Sequence, residues 1–111
     1  MVTHKPGAQG EVWLVTLDPT VGSEQRKTCP CVIVSPDEMN CHLNTVILAP
    51  LTTGNRPAPY RIEIDFLGKS GRILLDHIRS VDRLRLVRKL GHLDDAPLAG
   101  ILKTLREMFR D

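Results

Sequence analysis

Aromatic residues are scarce in this 111-residue sequence: one Trp, one Tyr and two Phe, 4% of the chain. Stacking on rings therefore contributes little to any recognition it performs. Cysteine is also rare, and three in a chain without an export signal argue for reduced, free thiols instead of a disulfide framework. No apolar run approaches the roughly eighteen residues of a membrane span. The N-terminal MVTHKPGAQG has no hydrophobic region of the signal-peptide kind, so a cytoplasmic protein without a membrane partner is expected. Repeats and low-complexity tracts are lacking. A dominant charge is lacking too: 15 Lys and Arg stand against 13 Asp and Glu, and a net charge of +2 does not by itself mark a nucleic-acid binder. Apolar residues at 41% and charged residues at 25% are ordinary for a globular protein, and the length fits one domain over residues 1–111. Residues 1–9 read as a flexible lead-in or short edge segment.

What the sequence does hold is a succession of short strands. Glu11 to Leu17 and Cys31 to Val34 are rich in Val, Ile, Leu and Trp and bounded by Gly and Pro, the pattern of buried strands. Between them lies a polar loop of about a dozen residues, longer than the ~2–5 of a hairpin loop, and such length points to function. Thr45 to Ala49 reads as a third buried strand ending at Pro50, after a turn-rich Asp37 to Asn44. Leu51 to Pro59 reads as a loop. Tyr60 to Phe66 alternates apolar and charged residues, as a half-buried antiparallel strand does. Gly68 to Gly71 predicts a turn, Arg72 to Leu75 a strand, Ser80 to Leu86 a short helix capped by Ser80, and Val87 to Leu90 a last strand. The C-terminal helix is the clearest element: Asp94 or Asp95 caps it, Pro97 sits in its first turn, and Leu98, Ile101, Leu102, Leu105 and Phe109 recur at helical spacing. The fold class expected is mainly β: a small curled sheet or SH3-like antiparallel barrel with a short helix and a C-terminal helix.

Chemistry concentrates in and near the long loop. Glu24 is a carboxylate beside Arg26 and Lys27, which keep it ionised and able to accept a hydrogen bond. Thr52 and Thr53 follow a strand, a rigid place from which to aim a hydroxyl, although threonine there is commonly a turn former. Between Lys69 and Lys89 seven basic residues face two acids, which reads either as a local positive surface or as a solvated strand and helix face. Cys29, Cys31, Cys41 and His42 raise the question of zinc, but the spacing lacks the usual C-x₂₋₄-C pairs. Cys31 and Cys41 fit better as small buried hydrophobes, and neither metal nor cofactor is expected.

The runs GEVWLVTLDPTVGSEQ, PCVIVSPDEMN, TVILAPLTTG and LLDHIRSVDRLRLVRKLG together resemble the MazF/PemK family, the ribonuclease toxins of type II toxin–antitoxin pairs. The resemblance covers roughly Gly10 to Phe109. It implies a homodimeric, metal-independent endoribonuclease cleaving single-stranded mRNA to a 2′,3′-cyclic phosphate and a 5′-hydroxyl. An acidic, disordered MazE-like antitoxin peptide would be its inhibitor. By this resemblance Glu24 is an active-site acid and Thr52 stabilises the transition state, while Ser23, Arg26, Lys27, Thr53, Arg56, Asp76, His77 and Arg79 belong to the RNA-binding set. Asp76 and Arg79 match the family's Asp-Gln-Ile/Pro-Arg pattern, with His77 in place of glutamine.

One position departs. The family's catalytic arginine sits just before the proline of the loop, and here that position is Cys29. A guanidinium stays charged and grips phosphate bidentately; a thiol does neither. Three explanations stand: Arg26 or Lys27 substitutes for the arginine, the chain is an inactive or attenuated natural variant, or the change was selected or introduced because the active toxin kills its host; strong attenuation is the expectation. The alternatives are a catalytically silent antitoxin-binding protein and a CcdB-like gyrase poison.

Overall fold

The computed structural model describes residues 6–17, 28–53 and 57–111. Along the chain run β1 (Glu11–Thr16), β2 (Thr28–Ile33), α1 (Asp37–Asn40), β3 (Thr45–Thr52), β4 (Arg61–Phe66), β5 (Lys69–Leu74), β6 (Arg79–Asp82), β7 (Leu86–His92) and α2 (Asp95–Met108). Every strand pairing is antiparallel, and the sheet order is β4-β5-β3-β2-β1-β7 with β6 beside β3. The result is a curled, half-barrel sheet with a short and a long helix, the mainly β class that the alternating strands predict.

Two features curl the sheet. β3 changes partner midway: Thr45 to Leu48 pair with β6, whereas Leu51 and Thr52 pair with β5. β7 carries an extra residue against β1 at Leu90 and again at Val87, and such bulges bend a strand and increase its twist. Alternation along the strands then separates two cores. Val12, Val32, Ala49, Ile73 and Leu75 pack with Ile101 of α2, while Val15, Ile33, Val46, Leu48 and Val81 pack with Trp13.

Several boundaries differ from the sequence reading. The segment from Ser80 to Leu86 is not a helix: Arg79–Asp82 pairs with β3, and a single 3-10 turn, Arg83–Arg85, follows. Val81 faces Val46 and is buried, so strand pairing outweighs the weak helical signal of seven residues. Asp82, not Ser80, caps that turn, its side chain accepting from Leu84 N–H at 2.8 Å. β3 runs through Pro50 to Thr52, and β2 begins at Thr28, ahead of Cys31. Pro50 is tolerated because a proline lacks only a donor, while its carbonyl and fixed φ suit a strand. The turn-rich Asp37 to Asn44 contains α1, and β5 begins at Lys69, leaving Leu67 and Gly68 as the turn.

The end of the expected lead-in is anchored. Gln9 N–H donates to Asp37 Oδ1 at 2.7 Å and Gln9 Nε2 donates to Val34 O at 2.8 Å. Arg83 donates to the carbonyls of Pro6, Asn40 and Leu43, tying that segment, the C-terminal end of α1 and the approach to β3 together. Phe109 leaves the helical stripe: it caps α2 at 71% exposure, while Met108 packs on the core.

Candidate active site

The site grows from the adjacent ends of β2, β3 and β5. β2 pairs with β3 as far as Cys31 opposite Pro50, and Cys29 and Thr52 each lie two residues beyond that last pair. Cys29 Sγ lies 3.8 Å from Leu51 O and 3.5 Å from Pro30 O, which fixes the half-buried thiol against β3. On the other side of β3, Thr52 stands directly opposite Arg72 of β5. Thr53 follows at the surface. Gly71 permits this close approach, since a Cβ there would lie 2.8 Å from Thr52 O.

Two connected clefts open beside these residues. The smaller, about 250 Å³, is lined by Pro30, Thr52, Thr53, Lys69 and Gly71 among others. The larger, about 620 Å³, is lined by Thr53, Glu63, Asp65, Ser70, Arg72 and Pro97. Arg72 Nη2 donates to Glu63 Oε1 at 2.7 Å, and Ser70 Oγ donates to Asp65 Oδ1 at 2.7 Å.

Cys29 and Cys31 share one face of β2 and couple electrostatically. Cys31 Sγ donates to the Cys29 carbonyl at 3.5 Å, and the neighbouring Cys31 thiol lowers the Cys29 thiol to about 7, against the opposing effect of burial. Cys31 is raised by the neighbouring Cys29 and by burial, with Arg79 acting weakly in the other direction. Cys31 is buried as expected, but Cys41 is exposed at the end of α1, where it is no buried hydrophobe. Among the described residues no three of His, Cys, Asp and Glu come together as a metal site.

The remaining expected site residues divide. Ser23, Glu24, Arg26, Lys27 and Arg56 lie outside the described residues. Asp76 and His77 sit in a 3-10 turn, Leu75–His77, after β5 and beside β3. Arg61 grips Asp76 bidentately at 3.0 and 3.2 Å, and that hydrogen bonding holds the carboxyl below its ordinary range. His77 Nε2 lies 3.4 Å from the same carboxylate. Arg79 opens β6 opposite Leu48.

The basic side chains between Lys69 and Lys89 are engaged at separate places. Arg83 serves backbone carbonyls, Arg85 donates to Thr16 O and Leu17 O at 3.1 and 3.3 Å, and Lys89 pairs with Glu11 at 2.9 Å. Arg85 thereby fixes the stem from which the polar loop departs. Arg72 is the residue that sequence reasoning left undistinguished in this stretch. Only the β3–β5 register, unreadable from spacing alone, singles it out.

Comparison with known proteins places this architecture. The sequence profile of the PemK-like, MazF-like toxins of type II toxin–antitoxin systems matches residues 8–109. The chain is 38% identical over 99 residues to the endoribonuclease MazF of Staphylococcus epidermidis, covering 84% of this chain and 82% of that protein. It is 37% identical over 104 residues to the endoribonuclease EndoA of Bacillus subtilis, covering 88% and 90%. The fold superposes on a chain of the MazE–MazF crystal structure from Deinococcus radiodurans with a TM-score of 0.73 and 30% identity, covering 96% and 93%. Fold and sequence therefore agree, and the chain belongs to the PemK-like, MazF-like toxin family of type II toxin–antitoxin systems.

Proposed function

We propose that this toxin is a metal-independent endoribonuclease acting on single-stranded mRNA in the cytoplasm, slowed by the cysteine at position 29. The observation that carries the reading is the Cys29 thiol set against Leu51 of β3, next to a cleft lined by Pro30 and Thr52, in a chain similar to endoribonucleases. In the reaction, the ribose 2′-oxygen attacks the adjacent phosphorus while Glu24 accepts its proton. The bond from phosphorus to the 5′-oxygen breaks, the 5′-oxygen leaves and takes a proton from solvent, and a 2′,3′-cyclic phosphate remains. Thr52 donates its hydroxyl hydrogen to a phosphoryl oxygen, from a strand end held by its pairing with β5.

Cys29 weakens this chemistry in two ways. It supplies no positive charge to the doubly negative transition state, and loss of one such contact typically costs ~10²–10³ in rate. With its thiol lowered to about 7, it is also partly thiolate at neutral pH, which repels the phosphate. Ser23, Arg26, Lys27, Thr53, Arg56, Asp76, His77 and Arg79 would contact the RNA, as the resemblance implies. An acidic, disordered antitoxin peptide competing for the same cleft is the natural inhibitor, in line with the neighbouring structure's MazE partner. The functional unit is a homodimer.

A second reading, a silent family member that binds only antitoxin, draws on the same half-buried Cys29. One assay decides: wild type and Cys29→Arg are incubated with end-labelled single-stranded RNA in EDTA. Slow cleavage by the wild type, raised ~10²–10³-fold by the arginine, is expected. No cleavage by either protein across a set of varied sequences would refute the ribonuclease reading.

A further inference from the structure

We propose that Cys29 and Cys31 form a peroxide-sensitive thiol pair: a hydroperoxide oxidises Cys29, and the buried Cys31 thiol then closes a reversible disulfide with it. This goes beyond the ribonuclease reading and stands without it. Directly opposite Val15 and Trp13 of β1, the two cysteines are separated by Pro30 alone and leave the same face of β2. Each sulfur rests against a carbonyl of the backbone between them: Cys31 Sγ lies 3.5 Å from Cys29 O, and Cys29 Sγ lies 3.5 Å from Pro30 O. Two strand steps of ~3.3 Å set the Cα atoms about 6.6 Å apart, inside the ~4.4–6.8 Å that a disulfide spans. The bond draws the Cβ atoms closer than an extended strand holds them, so β2 bends at Pro30 as it forms. β3 offers little resistance, because the β2–β3 ladder stops at Cys31 opposite Pro50 and proline has no N–H to lose. Only the long contact of Cys29 Sγ with Leu51 O, 3.8 Å, is given up on that side.

The two thiols are unequal, and the difference assigns their roles. Cys29 is half-buried and lowered to about 7 by the neighbouring Cys31, so a large share is thiolate at neutral pH, the form that attacks a peroxide. Cys31 is fully buried, raised by its neighbour and by burial, and keeps its proton. In the first step the Cys29 thiolate attacks one peroxide oxygen and the O–O bond breaks. The sulfur is oxidised to a sulfenic acid, and the peroxide is reduced, leaving as hydroxide or alkoxide. Oxidation discharges Cys29, which lifts that neighbour's effect and leaves burial alone to raise Cys31. In the second step the Cys31 sulfur attacks the sulfenic sulfur, its proton departs with the hydroxyl as water, and the S–S bond closes. The disulfide is uncharged, so the negative charge that the thiolate sets beside the cleft is lost. Cys41, exposed at the end of α1 with its thiol on Glu38 O at 3.2 Å, takes no part.

The test uses the full chain carrying Cys41→Ser, so that the pair holds its only thiols. The protein is treated at neutral pH with a few equivalents of hydrogen peroxide and then with iodoacetamide, and its denatured mass is read before and after dithiothreitol. The expected product is a single chain lighter by about 2 Da, the two thiol hydrogens, which takes no alkyl group until dithiothreitol restores both thiols. In Cys31→Val in the same background the sulfenic acid has no partner, and dimedone should trap it on Cys29 as one adduct. Cys29→Ser should leave Cys31 unoxidised over the same time, since a buried, protonated thiol does not attack peroxide. A chain that gains oxygen without the 2 Da loss, or that links to a second copy instead, overturns the proposal. Full alkylation of both cysteines after peroxide overturns it as well, and so does oxidation of Cys31 in Cys29→Ser at the parent's rate. The parent protein's mass decides even if Cys31→Val does not fold. None of these readings involves RNA cleavage, so failure of the ribonuclease reading and failure of the thiol pair are told apart.

Discussion

Cys29 is held beside a second thiol, and the pair behaves unlike two separate cysteines. Because Cys31 is buried and keeps its proton, it stands beside Cys29 as a neutral thiol, its S–H on the Cys29 carbonyl, and this neighbour lowers the Cys29 thiol. Alkylation of Cys29 by iodoacetamide, followed by peptide mass mapping, should therefore rise with pH around a midpoint near 7. In Cys31→Val that neighbour is gone and burial alone acts, so the midpoint moves upward. An unchanged midpoint would mean that another group lowers Cys29. The identity of this residue as the departure from the family pattern is legible in the sequence, as is Thr52. Its thiol partnership is not, since two residues apart on a strand means a shared face but not a hydrogen bond. The contacts made by the arginines are hidden for a related reason: Arg72, Arg83 and Arg85 look alike along the chain, yet one faces a cleft and two serve backbone carbonyls 40 or more residues away.

At the scale of elements, the strand signals and the long amphipathic helix survive with shifted ends, and the weak helical signal of Ser80 to Leu86 does not. α2 appears where its apolar spacing, Pro97 and Asp94 put it, because a 14-residue amphipathic helix has one face that fits the sheet. β6 is four residues long, and what makes it a strand is β3 beside it, a partner invisible in local sequence. The helix also separates core from surface cleanly. Ile101 is fully buried and Phe109 is 71% exposed, although both occupy the apolar stripe of the sequence. Ile101→Ala should lower unfolding free energy by ~2–5 kcal/mol, the range for buried aliphatic truncation, while Phe109→Ala should stay within ~0.5 kcal/mol. Urea denaturation followed by the single Trp13 would measure both. Similar losses at the two positions would mean that the C-terminal end of α2 packs on something, such as a second copy of the chain.

For the whole molecule, the question is how an open run of strands becomes a barrel. β4 and β7 stand at the two ends of the sheet order and share no ladder among the described residues, so hydrogen bonds do not join them. Side-chain packing does: a Cβ on Gly91 of β7 would lie 3.0 Å from the ring of Phe66 of β4, and Phe66 packs on the same core as Leu90 and Leu98. The ring thus fills the gap that the missing ladder leaves, on the side that α2 covers. Gly91→Ala should destabilise the fold by ~1–3 kcal/mol through overpacking. Its φ of +158° adds a backbone contribution that no change in the ring can relieve. A double-mutant cycle with Phe66→Leu separates the two, because shortening the ring relieves only the steric part. A coupling of ~0.5 kcal/mol or more between the positions, with the double variant less destabilised than the sum of the singles, is expected for residues in contact. Strict additivity would place the ends of the sheet apart and leave the half-barrel open between β4 and β7. The cleft beside Thr53 would then lose the fixed wall that Pro97 and Ile64 give it, since both lie next to this closure.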